Sequence, residues 1–228
     1  MNNILKTNKL LFIVIGCGGV GGNLVRDLPK LLIGMEDKSL MMLIDGDKVE
    51  KKNLVRQPYQ EQDIDDNKAR VLSRKINTFY NLRTLFYDKY LLSSELDDIC
   101  KKHSDYIPVF LGCVDNDKTR KIIEDNFKLQ NTAIYIDGAN TVNDGNVYVV
   151  GIFNGEIIGK LRSDVYILED DINPGELSCE DLVSKGNTQI LITNEKIAMT
   201  ILEHVYSLIT SNLNVGVTVI ERFKILHY

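Results

Sequence analysis

The order of apolar and amphipathic segments along the chain constrains its fold more than any other feature. Short apolar runs alternate with segments whose apolar residues recur at helical spacing, and this alternation predicts βαβ units in a mostly parallel sheet. The predicted strands are Leu10–Ile15, Leu40–Ile44, Arg83–Tyr87, Ile107–Cys113 and Ala133–Asp137. The predicted helices between them are Gly19–Leu32, Asp66–Phe79, Leu91–Lys102 and Asp117–Lys128. We therefore expect an α/β fold with a Rossmann-like sheet flanked by helices.

The pattern changes beyond residue 140, where an antiparallel extension is expected. Asn146–Phe153 and Glu156–Lys160 flank the dipeptide Asn154-Gly155, which is typical of a two-residue hairpin turn. A polar crossover loop, a long helix and a final strand region follow, at Leu161–Thr188, Gln189–Ser211 and Val215–Leu226. We expect one domain over residues 1–228, with one half at 1–140 and the second, antiparallel part at 141–228.

Length and composition exclude several classes of protein. The 228 residues are enough for one large domain and few for two. A net charge of -5 argues against a dedicated nucleic-acid binder, and no apolar run reaches the length of a membrane span. We therefore expect neither a nucleic-acid nor a membrane partner. The four cysteines form no C-x-x-C pair, so we expect no zinc and assign the chain to the reducing cytoplasm.

A glycine-rich segment joins the first predicted strand to the first helix. Gly16-Cys-Gly-Gly-Val-Gly21 satisfies G-x-G-x-x-G, and its glycines Gly16, Gly18, Gly19 and Gly21 permit a tight turn close to a phosphate. Asp45, at the end of the second strand, can accept hydrogen bonds from ribose hydroxyls. The pattern makes residues 1–140 a nucleotide-binding half. By itself it also suits an NAD- or FAD-dependent oxidoreductase, or glycines that serve only the turn.

The segment after the second strand is more specific. Asp45-Gly-Asp-Lys-Val-Glu-Lys-Lys-Asn-Leu-Val-Arg-Gln57 resembles the D-x-D-x-V-E-x-x-N-L-x-R-Q signature of the ThiF/MoeB family, bacterial relatives of the ubiquitin-activating enzymes. The glycine motif fits the family's G-x-G-G-x-G. Asp66-Asn-Lys-Ala69 is similar to the family's lysine-bearing helix start, and Val114-Asp-Asn-Asp-Lys-Thr-Arg120 to its D-N-x-x-T-R element. The four elements occur in the family's order.

The resemblance implies ATP- and Mg²⁺-dependent adenylation of a carboxylate. Arg56 and Lys68 would clamp the phosphates, Asp115 would hold Mg²⁺ and Asp45 the ribose. Further contacts to the nucleotide are implied for Asp47, Asn53, Gln57 and Asn116. Carboxylate and triphosphate repel each other, so a site for this reaction must neutralise several negative charges and align the attack.

The resemblance also suggests an acceptor and a partner. The carboxylate would be the C-terminus of a ubiquitin-like or sulfur-carrier protein or of a peptide, with a small-molecule carboxylate as a minor alternative. Asp137–Asn140, followed by Gly145, is similar to the region that receives the carrier's tail. Cys179 is the candidate nucleophile for transfer to sulfur, although its acidic neighbours should raise the pKa of a thiol. An arginine-bearing N-terminal segment found in relatives is not recognisable, yet a homodimer is the expectation.

Several plainer interpretations stay open. In one alternative Arg56 and Lys68 are solvated surface charges, and in another Asp115 only caps the helix that follows it. Arg120 and Lys121 are interpreted as solvated charges at a helix end. Two other functions remain: a Rossmann oxidoreductase, and a non-catalytic partner subunit of an activating enzyme.

Overall fold

Strands and helices alternate through the first half of the chain, as the sequence predicts. The computed structural model describes residues 8–34, 39–141, 143–169, 191–210 and 213–228. The strands of this half are β1 (Lys9–Ile15), β2 (Ser39–Ile44), β3 (Thr84–Tyr87), β4 (Tyr106–Gly112) and β5 (Thr132–Asn140). The helices are α1 (Gly19–Leu32), α2 (Lys68–Tyr80), α3 (Ser93–Lys102) and α4 (Asp117–Lys128). Short 3₁₀ turns lie at Lys51–Asn53 and Glu61–Asp63.

The strands of the described residues belong to one sheet, in the order β3-β2-β1-β4-β5-β6-β8-β9, with β7 paired to β6. Its last four strands are β6 (Gly145–Phe153), β7 (Glu156–Ile158), β8 (Gly216–Glu221) and β9 (Lys224–His227). The first five strands are parallel, and β6 runs antiparallel to β5. The predicted α/β class with a mostly parallel, Rossmann-like sheet is confirmed. β1 has β2 on one side and β4 on the other, so the strand order reverses between β1 and β4. The carboxyl ends of β1 and β4 therefore form the switch point at which open α/β sheets bind ligands.

The C-terminal third adds antiparallel strands to this sheet, as predicted. Its elements are β6 (Gly145–Phe153), β7 (Glu156–Ile158), a 3₁₀ turn (Arg162–Asp164), α5 (Leu191–Thr210), β8 (Gly216–Glu221) and β9 (Lys224–His227). Asn154 and Gly155 have φ of 52° and 82°, as the tight turn between β6 and β7 requires. β5 is longer than predicted because all nine of its residues pair with β6. Of the predicted crossover loop, residues 170–188 lie outside the described residues.

The core consists of two layers, one on each face of the sheet. In β1, Phe12 and Val14 pack with α1, α2 and α5, whereas Ile13 and Ile15 face the opposite cluster with α3 and α4. This alternation follows from the period of two residues in a strand. Burial on both faces explains why the parallel strands are continuous apolar runs. No helix in the described part of the chain is long and apolar enough to cross a bilayer.

Candidate active site

The glycine loop closes tightly between β1 and α1. Gly16 has φ of 91°, a conformation that residues with a side chain rarely adopt. A Cβ atom on Gly21 would lie 1.8 Å from the carbonyl oxygen of Gly16, so only glycine fits there. Gly18 is the N-cap of α1 and provides no side-chain cap. The loop therefore leaves the N-terminus of α1 open to an anion.

Asp45 braces the glycine loop from the end of β2. Its Oδ2 accepts a hydrogen bond of 2.6 Å from the backbone N–H of Cys17, and its Oδ1 accepts one of 2.7 Å from that of Asp47. Burial raises the pKa of Asp45 to about 6, although the nearby Lys68 acts in the opposite direction. Each carboxylate oxygen keeps a second lone pair, so Asp45 can still accept from a ribose hydroxyl.

Asp47 and Lys68 form an ion pair beside Asp45. Lys68 Nζ donates to Asp47 Oδ2 at 2.8 Å, with a side chain only 7% exposed, and the hydroxyl of Tyr90 donates to Asp47 Oδ1. Burial disfavours the charged form of both partners, but their mutual attraction outweighs the effect of burial. Attraction to Lys68 lowers the pKa of Asp47, and attraction to Asp45 and Asp47 raises the pKa of Lys68. Lys68 is thus a buried, charged ammonium. The interpretation of Lys68 as a solvated surface charge is wrong.

Two residues of this cluster escaped the sequence prediction. Asn67 caps α2 by accepting from the N–H of Arg70 at 3.0 Å. Its side-chain amide donates to the carbonyls of Asp45 and Asp47 at 2.8 and 3.1 Å, which ties the start of α2 to the end of β2. Tyr90 reaches Asp47 from the loop after β3. Asn67 stands directly before Lys68, and an Asn at the start of a helix is a sequence signal for an N-cap. No sequence pattern around Tyr90 predicts its contact with Asp47.

Asn53, Arg56 and Gln57 lie in the loop that follows β2. Asn53 is buried, and its Oδ1 accepts from the N–H of Glu50 at 2.8 Å, so its side chain shapes the 3₁₀ turn. The N–H groups of Arg56 and Gln57 both donate to the carbonyl of Asn53, at 3.1 and 2.9 Å. Gln57 Oε1 is buried without a hydrogen-bond partner, and Nε2 of Gln57 is 3.9 Å from a Cβ placed on Gly18. The Gln57 amide therefore lies over the glycine loop.

Asp115 and Asn116 follow β4, across the switch point from the glycine loop. Asn116 is the N-cap of α4, because its Oδ1 accepts from the N–H of Thr119 at 2.9 Å. The interpretation of Asp115 as the cap is therefore wrong. Asp115 itself is exposed. Among the described residues no three His, Cys, Asp or Glu side chains surround a metal position. Proteins bind Mg²⁺ through one or two carboxylates together with substrate phosphates, so the Asp115 carboxylate fits this ion.

Arg120 departs from its predicted role as a solvated charge. It is 6% exposed, because its guanidinium turns back to the end of β4. Nη2 donates to the carbonyl of Val114 at 2.5 Å and Nη1 to Asp117 Oδ1 at 3.0 Å.

The cysteines offer little nucleophilic chemistry in the described part of the chain. Cys17 and Cys113 are buried, and burial raises the pKa of both thiols. Both belong to the apolar core, where they serve as small packing residues. Cys179 lies outside the described residues.

Together these residues define a class of protein. The glycine loop, an acidic residue after β2 and a buried lysine meet at the switch point of a doubly wound sheet, which is the arrangement of a nucleotide-binding α/β domain. The chain matches the model of the ThiF family over residues 2–210 and therefore belongs to the ThiF family. No sequence among curated proteins matches it.

Solved structures share the fold at low sequence identity. A crystal structure of PaaA matches with a TM-score of 0.68 at 17% identity, over 100% of this chain and 65% of that one. E. coli MccB with ATP matches with a TM-score of 0.64 at 17% identity, over 100% and 65%. MccB, the microcin C7 biosynthetic enzyme, in complex with N-formylated MccA gives 0.67 at 18%, over 100% and 66%. The chain thus spans about two thirds of the length of these structures.

Proposed function

We propose that this chain uses ATP and Mg²⁺ to adenylate a carboxylate. The observation that carries the proposal is the cluster of Asp45, Asp47 and Lys68 against the glycine loop. Membership of the ThiF family and the fold shared with MccB, whose structures include ones with ATP and with MccA, support it. An oxidoreductase would have no evident use for a buried lysine at this position.

In the proposed reaction a carboxylate oxygen attacks the α-phosphorus of ATP. A new acyl–phosphate bond forms, and the bond from the α-phosphorus to its bridging oxygen breaks, with the electron pair leaving on pyrophosphate. Lys68 stays charged, because its pKa is raised, and would exchange Asp47 for a phosphate oxygen. Arg56 would contact the same phosphates, Asp45 would hold the ribose, and Asn53, Gln57 and Asn116 would line the nucleotide. Mg²⁺ at Asp115 would neutralise charge on the leaving pyrophosphate.

The acceptor we propose is the C-terminal carboxylate of a peptide or of a ubiquitin-like or sulfur-carrier protein. The fold shared with MccB, which is seen with the MccA peptide, supports a peptidic acceptor. The end of β5, predicted as Asp137–Asn140, would receive its tail at Ala139 and Asn140, because Asp137 and Gly138 are buried. We further propose that the Cys179 thiolate attacks the acyl-adenylate, so that a thioester forms and AMP leaves. A homodimer and a cytoplasmic setting complete the proposal. The cytoplasm is supported by the three buried free thiols of the described residues, Cys17, Cys100 and Cys113.

The proposal is tested by ATP–pyrophosphate exchange with small proteins and peptides that end in Gly-Gly. We expect Lys68→Met and Asp115→Ala to lower exchange by about 100-fold or more, since loss of one electrostatic contact to a developing charge has this size. Lys101→Met is the matched control, because Lys101 is an exposed lysine on α3 that pairs only with Asp97 among the described residues. Full exchange in Lys68→Met, or a bound flavin or nicotinamide with no binding of ATP, would refute the proposal.

A further inference from the structure

A buried charged network lies behind residues 114–117, which we term the Asp115 turn. The centre of the network is Asp137 on β5, which is fully buried. Asp137 pairs with two arginines that are each 6% exposed, Arg120 on α4 and Arg162 in the last 3₁₀ turn. Arg120 Nε lies 3.5 Å from Asp137 Oδ1, and Arg162 Nε donates to Asp137 Oδ2. Arg162 Nη2 also donates to the carbonyl of Asp137 at 3.3 Å. One carboxylate thus joins α4 to the segment that follows β7.

Arg120 connects this network to the turn that carries Asp115. Its two terminal nitrogens donate to the carbonyl of Val114 and to the carboxylate of Asp117. These two residues flank Asp115 and Asn116 in the sequence. The guanidinium therefore holds both ends of the turn, and a shift of Arg120 would shift Asp115.

Arg162 connects the network to residues 161–169, which we term the docked segment. Arg162 Nη1 donates to Asn146 Oδ1 at 2.8 Å, and its guanidinium lies 4.7 Å from the ring centroid of Tyr148. Further along, the N–H of Ser163 donates to Glu124 Oε1 at 3.2 Å, and the N–H of Glu169 donates to Asp117 Oδ2 at 3.0 Å. Asp117 therefore contacts both Arg120 and the docked segment.

Stability alone gives a weak reason for this arrangement. Burying charges is costly, and well-packed apolar residues in place of a buried ion pair are often neutral or stabilising. The network is also incompletely bonded, since Arg120 Nε and Asp137 Oδ1 are buried and lack a hydrogen bond. What the charges provide is a directional link, because each arginine must keep its orientation to stay paired.

We propose that Arg120, Asp137 and Arg162 are positioning residues that couple the docked segment to the Asp115 turn, so that docking of residues 161–169 strengthens the binding of Mg²⁺–ATP. This inference rests on the proposed role of Asp115 in holding Mg²⁺. Arg162 contacts neither the glycine loop nor the Asp115 turn in the described structure. Its effect on the nucleotide therefore has to pass through Asp137 and Arg120, or through the rest of the docked segment, which contacts Asp117.

Calorimetric titration of ATP, once with Mg²⁺ and once with EDTA, tests the coupling in the whole chain. We expect Arg162→Met to weaken binding of Mg²⁺–ATP by about tenfold, within the range of coupled sites, and to leave binding of metal-free ATP within about twofold. Arg162→Lys should restore part of the loss. Arg26→Gln is the matched control, because it removes an exposed bidentate pair with Glu195 and should change neither affinity.

Equal losses with and without Mg²⁺, or no loss in Arg162→Met, would overturn the coupling. If Arg162→Met does not fold, Asp117→Asn serves instead, because it keeps an oxygen for the N–H of Glu169 while removing the charge opposite Arg120; it should show the same selectivity for Mg²⁺. Wild-type protein that binds ATP equally with and without Mg²⁺ would also overturn the coupling. Absence of pyrophosphate exchange alongside a Mg²⁺-selective loss would refute adenylation and leave the coupling intact.

Discussion

At the scale of single residues, the sequence predicts one role for Asp45, and the structure adds a second. The motif suggests a ribose acceptor, whereas the structure shows both carboxylate oxygens already accepting from backbone N–H groups of the loop and of Asp47. The residue that would bind the nucleotide therefore also holds the loop in shape. A charged carboxylate at this depth is unfavourable, and its raised pKa records that cost.

The raised pKa of Asp45 has a defined effect on stability. The folded-state pKa of about 6 lies above the ordinary value of 3.8, so the native state binds more protons between these pH values. Stability from Asp45 is then fully present below about pH 4 and declines as the pH rises through about 6. Asp45→Asn removes this slope and loses one acceptor for a loop N–H. In urea titrations we expect the difference in unfolding free energy between the wild type and Asp45→Asn to shrink from pH 4 to pH 7. A difference that grows over this range would show that the pKa of Asp45 is lowered in the folded state.

At the scale of elements, a polar contact fastens the last two strands to α5. His204 Nε2 and Thr218 Oγ1 are 2.8 Å apart, and the same hydroxyl is 3.0 Å from His227 Nδ1. The hydroxyl can donate its single proton to only one of the two ring nitrogens, so at least one ring must donate an N–H to the hydroxyl oxygen. This contact joins α5, β8 and β9 at a place where β9 forms the edge of the sheet.

Protonation of His204 should destabilise the fold, because it places a charge on a buried ring beside His227. Burial, with a smaller effect of His227, lowers the pKa of His204 to about 4, whereas an unfolded histidine titrates near 6.5. The unfolded state binds more protons between these values, so stability is lost as the pH falls from about 6.5 towards 4. His204→Gln should remove this part of the acid sensitivity in thermal melts at pH 4 to 7. An unchanged acid slope in the variant would assign the sensitivity to other groups.

At the scale of the whole molecule, one sheet spans both halves of the chain. β5 and β6 pair along nine residues, and α5 packs on the same face as α1 and α2. The cluster that contains α5 therefore also contains the helix that opens at the glycine loop. This continuity supports the prediction that residues 1–228 form a single domain.

A single domain should unfold in one step. We expect one transition in scanning calorimetry, with calorimetric and van't Hoff enthalpies that agree, because no boundary divides the sheet at residue 140. ATP with Mg²⁺ should raise the midpoint of the entire transition, since a ligand that binds only the native state stabilises it as a unit. Two resolved transitions, of which ATP shifts only one, would contradict the single domain.

The sequence by itself determined the elements and the kind of site. Burial on both faces requires continuous apolar runs in parallel strands, and helices require apolar residues at their own period, so both patterns could be recognised locally. The glycine motif and Asp45 could be placed for the same reason, because each lies at a strand end that the pattern marks.

Only the tertiary structure decided the strand order and the partners of the charged side chains. Tyr90 lies 43 residues from Asp47, and Arg162 lies 25 residues from Asp137. The sequence predicts Arg120 as a solvated charge at a helix end. In the structure its side chain is buried, because α4 packs on β4 and β5. Local patterns carry the period of an element, whereas the partner of a charge depends on which distant segments pack beside it and exclude water.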